Sequence, residues 1–319
     1  MSMHRIHAPL GLLIVVLQLL PALSRADCGS IPFNTPLQVR DFVALEGPIT
    51  DNNIQFNPLD VVVYEPGQRA IILWNGDEEI LLLSTDIKTS QGTPILEVMP
   101  FPSEPTVTLG EFETFEKMQR LLIDKTLWRV ASGGGVAAVR PPDNVAEITF
   151  FEAMGAHDIA VVKVKEPAQF SAWVMNFLRE RQAINPQINP AFLEVIDNYL
   201  ERGYQWFVFD TLYTDDELQS KQPVQFRFKS PHVYYPLEIS SRETGKTTVD
   251  LLLLTHAPVS TYDKLSFAVQ RDNGVQVTHA ELEDVSPDWA AFMAQPAFSM
   301  QRVYIKGKLS AMTADFIVR

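Results

Sequence analysis

The sequence predicts an α+β fold, with largely antiparallel β-sheets and two or three short amphipathic helices packed on them. Three observations lead there. Strand-like and helix-like segments come in blocks, without the regular β-α-β alternation of a parallel sheet. Asn75-Gly76 and Asp272-Asn273-Gly274 stand between apolar runs, where the positive φ that Asn and Gly accept closes a hairpin. Two apolar stripes at helical spacing lie in tandem at 170–178 and 192–200.

From the N-terminal side, a Pro- and Asn-containing entry at 31–36 precedes the short apolar run 59–64. Runs 69–74 and 79–84 then flank Asn75-Gly76 as the two arms of a hairpin. A further strand is expected over 94–100, closed by proline, after which 101–105 leaves the sheet as an extended segment. Phe112, Phe115, Met118, Leu121 and Leu122 recur at helical spacing, so a helix is expected to run from Glu111 and end before Ala131. Ser132-Gly133-Gly134-Gly135 then reads as a flexible loop, followed by the break Pro141-Pro142.

Strands are predicted at 148–151 and 159–165 around the turn 155–158. Pro167 opens a helix whose Phe170, Trp173, Val174, Phe177 and Leu178 share one face. Asn185-Pro186 interrupts the pattern, and Asn189-Pro190 restarts it as a cap followed by a first-turn proline. Phe192, Val195, Ile196, Tyr199 and Leu200 repeat the stripe before Gly203. Downstream, 205–213, 224–229, 247–254, 265–270, 275–282 and 300–309 read as strands, with one small helical piece at 287–294.

The 319 residues are 46% hydrophobic and 20% charged, enough for a sizeable core and incompatible with global disorder. Net charge is −13 and no basic stretch could track a phosphate backbone, so nucleic acid is not an expected partner. The first residues have the form of an export leader: Arg5, the apolar run Leu10 to Leu20, then small residues at Ser24 and Ala26. Cleavage after Ala26 is predicted. It removes Arg5 and Arg25 and leaves a more acidic chain starting at Asp27. No later apolar run approaches membrane-spanning length, so no transmembrane anchor is expected after cleavage. The organisation read from the sequence is a leader over 1–26, an α+β body over 27–257 and a β-rich extension over 258–319 packed on the same body. A periplasmic or extracellular place follows. Cys28 is the single cysteine, so no intramolecular disulfide is available, and Asp27 before it departs from a lipoprotein signal.

Candidate chemistry is sparse. His157-Asp158 is the nearest thing to a base with an orienting carboxylate; the plainer reading is a polar turn. No G-x-S-x-G elbow occurs; Ser132 beside three glycines is the nearest approach to a nucleophile with an oxyanion hole, and the plainer reading is an unstructured connector. Asp77-Glu78-Glu79 and Asp215-Asp216-Glu217 could offer oxygen ligands to a hard cation, but neither has the alternating calcium-loop pattern. His157, His232, His256 and His279 are scattered, without zinc-ligand spacing, and the glycines lack a phosphate-cradling motif. No cofactor is expected. Trp74, beside the hairpin turn, is the aromatic to test as a glycan or peptide platform.

The ordered segments 68–76, 98–102, 157–162, 199–204 and 234–240 together resemble domain-of-unknown-function family 2330, a group of exported bacterial proteins, from about Cys28 to about Ala257. The resemblance implies export and carries no activity, cofactor or catalytic residues. Family members often have a second cysteine soon after the Cys-Gly that is here Cys28-Gly29; this chain does not. Three functions stay open: a non-catalytic protein binding or scaffolding another extracytoplasmic protein or cell-envelope component, a hydrolase whose site is assembled from distant residues, and a cation-stabilised structural protein.

Overall fold

The computed structural model describes residues 29–34, 61, 63–90, 92–132, 157–214, 216–243, 245–259, 265 and 268–318. The leader, Cys28, the strand expected at 148–151, Gly133 to Gly135 and Asp215 lie outside them.

Two sheets face each other. The larger has the strand order β12-β14-β11-β2-β3-β9-β5. These strands are β2 (Val63–Trp74), β3 (Glu78–Thr89), β5 (Thr106–Leu109), β9 (Val224–Lys229), β11 (Lys246–Thr255), β12 (Ala268–Arg271) and β14 (Ala297–Lys308). Two short strands, β8 (Gln219–Ser220) and β13 (Val275–Thr278), pair with β3 and β14. The smaller sheet runs β1-β4-β7-β6, built from β1 (Gly29–Pro32), β4 (Thr93–Phe101), β6 (Asp158–Lys163) and β7 (Trp206–Thr214). A two-stranded ribbon joins β10 (Val233–Tyr235) to β15 (Phe316–Val318).

Pairing is antiparallel with one exception at the centre of the large sheet, where β11 lies parallel to β2 with Leu252 opposite Ile71. The hairpin of β2 and β3 turns at Asn75-Gly76. Gly76 adopts φ +102, and the Asn75 side chain accepts from the Asp77 and Glu78 amides.

Strand alternation gives the large sheet two apolar faces. Ile71, Leu73, Ile80 and Leu82 point one way, toward Phe115 and Met118 of α1 (Phe112–Ser132), Leu282 of α4 (His279–Val285) and Trp289 and Met293 of α5 (Pro287–Met293). Ala70, Ile72, Leu81 and Leu83 point the other way, toward the small sheet. Phe101 bridges there to Phe226 and Phe228, at 5.0 Å between ring centres in each case. The outer face of the small sheet carries Phe207 and Phe209, which meet Phe170 and Trp173 of α2 (Pro167–Glu180). Helix α3 (Pro190–Glu201) adds Phe192 beside Phe170 and starts as the sequence indicates, with the Asn189 side chain accepting from the Ala191 amide. The stack therefore has four layers: helices, large sheet, small sheet, helices. Each fully buried aliphatic or aromatic side chain in it contributes about 1.5–3 kcal/mol.

The α+β class stands, but the helix count needs correction: the described residues hold five α-helices rather than two or three, and α1 is 21 residues long. The missed helix is α4, which occupies residues read as strand. Thr278 caps it and Glu281 reaches back to the Thr278 amide, so a capping box overrides the apolar alternation from Val275. The segment after Pro105 also re-enters the large sheet as β5, which pairs with β9 as its edge. No helix among the described residues is long and apolar enough to cross a membrane.

Candidate functional site

A cluster of charged side chains is buried between the sheets. Glu97 of β4 lies directly opposite Asp210 of β7, and alternation turns both inward, toward the large sheet. Lys221 enters from the large sheet. Its backbone is fixed to β3, the amide donating to Thr85 at 2.9 Å and the carbonyl accepting from Ser84 Oγ at 3.1 Å. Its ammonium pairs with Glu97 Oε2, the two side chains being 7% and 5% exposed. His157, immediately before β6, supplies the fourth group: Nδ1 shares a hydrogen with Asp210 Oδ2 at 2.6 Å, and Nε2–H donates to the Gln222 carbonyl at 3.1 Å.

Glu97, Asp210 and Lys221 line a cavity of about 20 Å3, counted as space open to the centre of a water molecule. Glu97, Asp210, Lys221 and Gln222 provide its polar side; Leu83 and Phe226 are among the apolar residues that close it. A site needs roughly 10–15 Å3 by this measure to hold one water, so the cavity admits water and no metabolite. Glu97 Oε1 and Asp210 Oδ1 are both buried without a hydrogen-bond partner. Burial, above all, holds the Glu97 carboxyl above its usual range; Lys221 opposes that and Asp210 reinforces it.

The sequence-predicted residues are distributed differently. His157 does sit against a carboxylate, but that carboxylate is Asp210. Asp158 points to the exterior, where it accepts from Arg181 Nε at 2.8 Å, and that guanidinium also stacks on Phe177. Asp77, Glu78 and Glu79 do not converge. Asp77 is exposed at the hairpin turn and Glu78 pairs with Arg227 at 2.5 Å. Glu79 is fully buried and accepts from the Tyr234 amide at 2.8 Å. Burial pushes the Glu79 carboxyl well above the usual range, only partly offset by that amide. Asp216 and Glu217 are exposed. Among the described residues no group of three His, Cys, Asp or Glu is placed to hold a metal ion. Trp74 is half-buried, its indole N–H donating to the Ser230 carbonyl at 2.9 Å.

Glu97, Asp210 and Lys221 were hidden from sequence reasoning because each sits in or beside a strand-forming run with no motif around it. The one available signal was a charged residue at an inward position of an otherwise apolar strand, as in Pro94-Ile95-Leu96-Glu97-Val98-Met99.

A second buried carboxylate, Asp315, ties the C-terminal segment to the body. Its Oδ1 accepts from Tyr199 Oη at 2.5 Å and from the Leu237 and Glu238 amides at 3.0 and 3.1 Å. Its Oδ2 meets Arg202 at 3.1 Å.

The model of a family described as uncharacterized protein conserved in bacteria, domain-of-unknown-function family 2330, matches residues 60–303. The match starts later than the resemblance read from the sequence and runs past Ala257 into β14, ending at residue 303. No curated protein matches the chain. Among solved structures, the crystal structure of baculovirus P35 is similar at 9% identity and a TM-score of 0.40, over 82% of this chain and 98% of that one. A mutated baculovirus P35 after caspase cleavage gives 9% identity and 0.36, over 79% and 98%.

Proposed function

The chain belongs to the bacterial family of unknown function 2330, and from that premise we propose that it is an exported protein that binds or scaffolds another extracytoplasmic protein or cell-envelope component. The observation that carries the binding reading is the place of β6 in the small sheet. Among the described residues this strand ends the small sheet, its residues are half-buried or exposed, and Val161 is 37% exposed. A strand edge of this kind pairs readily with an extended segment of another polypeptide. Export is supported by the leader-like order of Arg5, the apolar run and Ala26. Against turnover at the buried cluster stand the water-sized cavity and the commitment of both His157 nitrogens, which leaves no lone pair facing a substrate.

The test is cross-linking capture from the periplasmic and culture fractions with tagged full-length protein, beside the Val161→Lys variant. Recovery of one partner by the parent and its loss with the charged edge is the expected result. Absence of any partner, or intact Met1 in material that fractionates with cytosol, removes the proposal.

A second reading, a hydrolase centred on His157, draws on the 2.6 Å contact with Asp210, the base-and-orienter half of a nucleophilic centre. Ester or peptide turnover that disappears in His157→Gln while the melting temperature holds would favour it.

A further inference from the structure

We propose that Lys221 and Glu97 condense into an amide, an intramolecular cross-link that joins the two sheets covalently. The two groups meet in a place that disfavours their separate charges. Both side chains are more than nine-tenths buried, in a cavity with apolar walls formed in part by Leu83 and Phe226. A buried ion pair is costly to keep, because desolvation of two charges offsets much of their attraction. An amide replaces both charges by one neutral group.

Position supplies the rest. Lys221 is anchored through its backbone to β3 and Glu97 lies within β4, so the amine and the carboxyl are held together by rigid elements. Effective molarities of about 10⁵–10⁸ M for such fixed pairs lower the barrier to a condensation that is slow between free groups in water, and the removal of two buried charges favours the product. Asp210, directly across from Glu97, lines the same cavity and has an unpartnered buried oxygen, and in this reaction it takes a proton from the ammonium. A desolvated lysine next to such an acceptor becomes a nucleophile. Burial, which holds the Glu97 carboxyl above its usual range, favours its neutral, attackable form.

The balance closes without any further reagent. The ammonium and carboxylate begin with three N–H hydrogens and two oxygens. The nitrogen lone pair forms the new bond to Glu97 Cδ, one carbon–oxygen bond breaks, and that oxygen leaves with two of the three hydrogens as water. The third stays on the amide nitrogen. No group is oxidised or reduced, and the cavity is of a size to receive the departing water.

Mass spectrometry of the full-length chain decides the matter. The intact denatured protein is expected to be lighter by one water than the sequence counted from its own measured N-terminus. After proteolysis, the peptide containing Lys221 should be found joined to the peptide containing Glu97, with cleavage by trypsin after Lys221 abolished. Lys221→Met and Glu97→Ala should both show no loss of water relative to the sequence counted from the same N-terminus, and no branched peptide. The parent's peptide map is conclusive alone, so the inference does not depend on either variant folding. Separate, linear peptides carrying Lys221 and Glu97, or a branch that ends on Asp210 instead, overturn it.

Discussion

Replacing Asp315 tests how the C-terminal segment is held. Its carboxylate is 2% exposed as a residue and serves four donors: Tyr199 Oη, the Leu237 and Glu238 amides and the Arg202 guanidinium. Asp315→Ala strips the acceptor from the Tyr199 hydroxyl and the Leu237 amide, both buried. An orphaned buried polar group costs about 1–3 kcal/mol, so these two give roughly 2–6 kcal/mol. The expected loss is therefore about 4 kcal/mol. Asp315→Asn keeps an oxygen where Oδ1 accepts and loses chiefly the charge toward Arg202, whose side chain is one-third exposed and well screened. About 1–2 kcal/mol is expected there. Urea unfolding followed by circular dichroism at neutral pH measures both. A loss below about 1 kcal/mol for Ala, or an equal loss for Asn and Ala, refutes the acceptor argument.

Three further outcomes are expected. Glu79, held by burial well above the usual carboxyl range, keeps its proton in the folded chain after it would have lost it in the unfolded one. Its contribution is full below the ordinary carboxylate value and is lost as pH rises toward the raised value, at up to about 1.4 kcal/mol per pH unit. Glu79→Gln should flatten the fall of denaturation midpoints as pH rises above the ordinary carboxylate range, and an undiminished slope counts against the assignment. At Gly29, an added Cβ would lie 2.1 Å from a ring carbon of Phe192, so Gly29→Ala should lower the melting temperature, with a cost of about 1–3 kcal/mol; an unchanged melting temperature contradicts the packing of β1 on α3. Chelator should leave the melting temperature in place, because Asp77, Glu78 and Glu79 face different surroundings; a fall reversed by calcium restores the cation-stabilised reading.

Local elements were legible where one short-range signal dominated. Asn75-Gly76 announced its hairpin because a positive φ is needed there, and the stripe at Phe192, Val195, Ile196 and Tyr199 announced α3 because those side chains do share a buried face. At Thr278 two local signals competed. The capping box won over the alternation of Val275 and Val277, and α4 formed where a strand was expected. The candidate site was legible only at His157. Its partner Asp210 is 53 positions away, and Glu97 is brought opposite Asp210 by the register of β4 on β7. Register of that kind is set by the packing of whole sheets, which no short window of sequence contains.

The insertion of β11 between β2 and β14 has a consequence for anyone shortening the gene. A polypeptide stopped near Ala257 would lack the neighbour that occupies the side of β11 away from β2, and the row Val249 to Thr255 would be left with its amides and carbonyls bare. An oily, ten-residue ribbon presented this way templates association with its own copies. Truncated products should therefore collect in inclusion bodies, and recombinant work is best planned on a gene that extends through Lys308 and its clasp at Asp315.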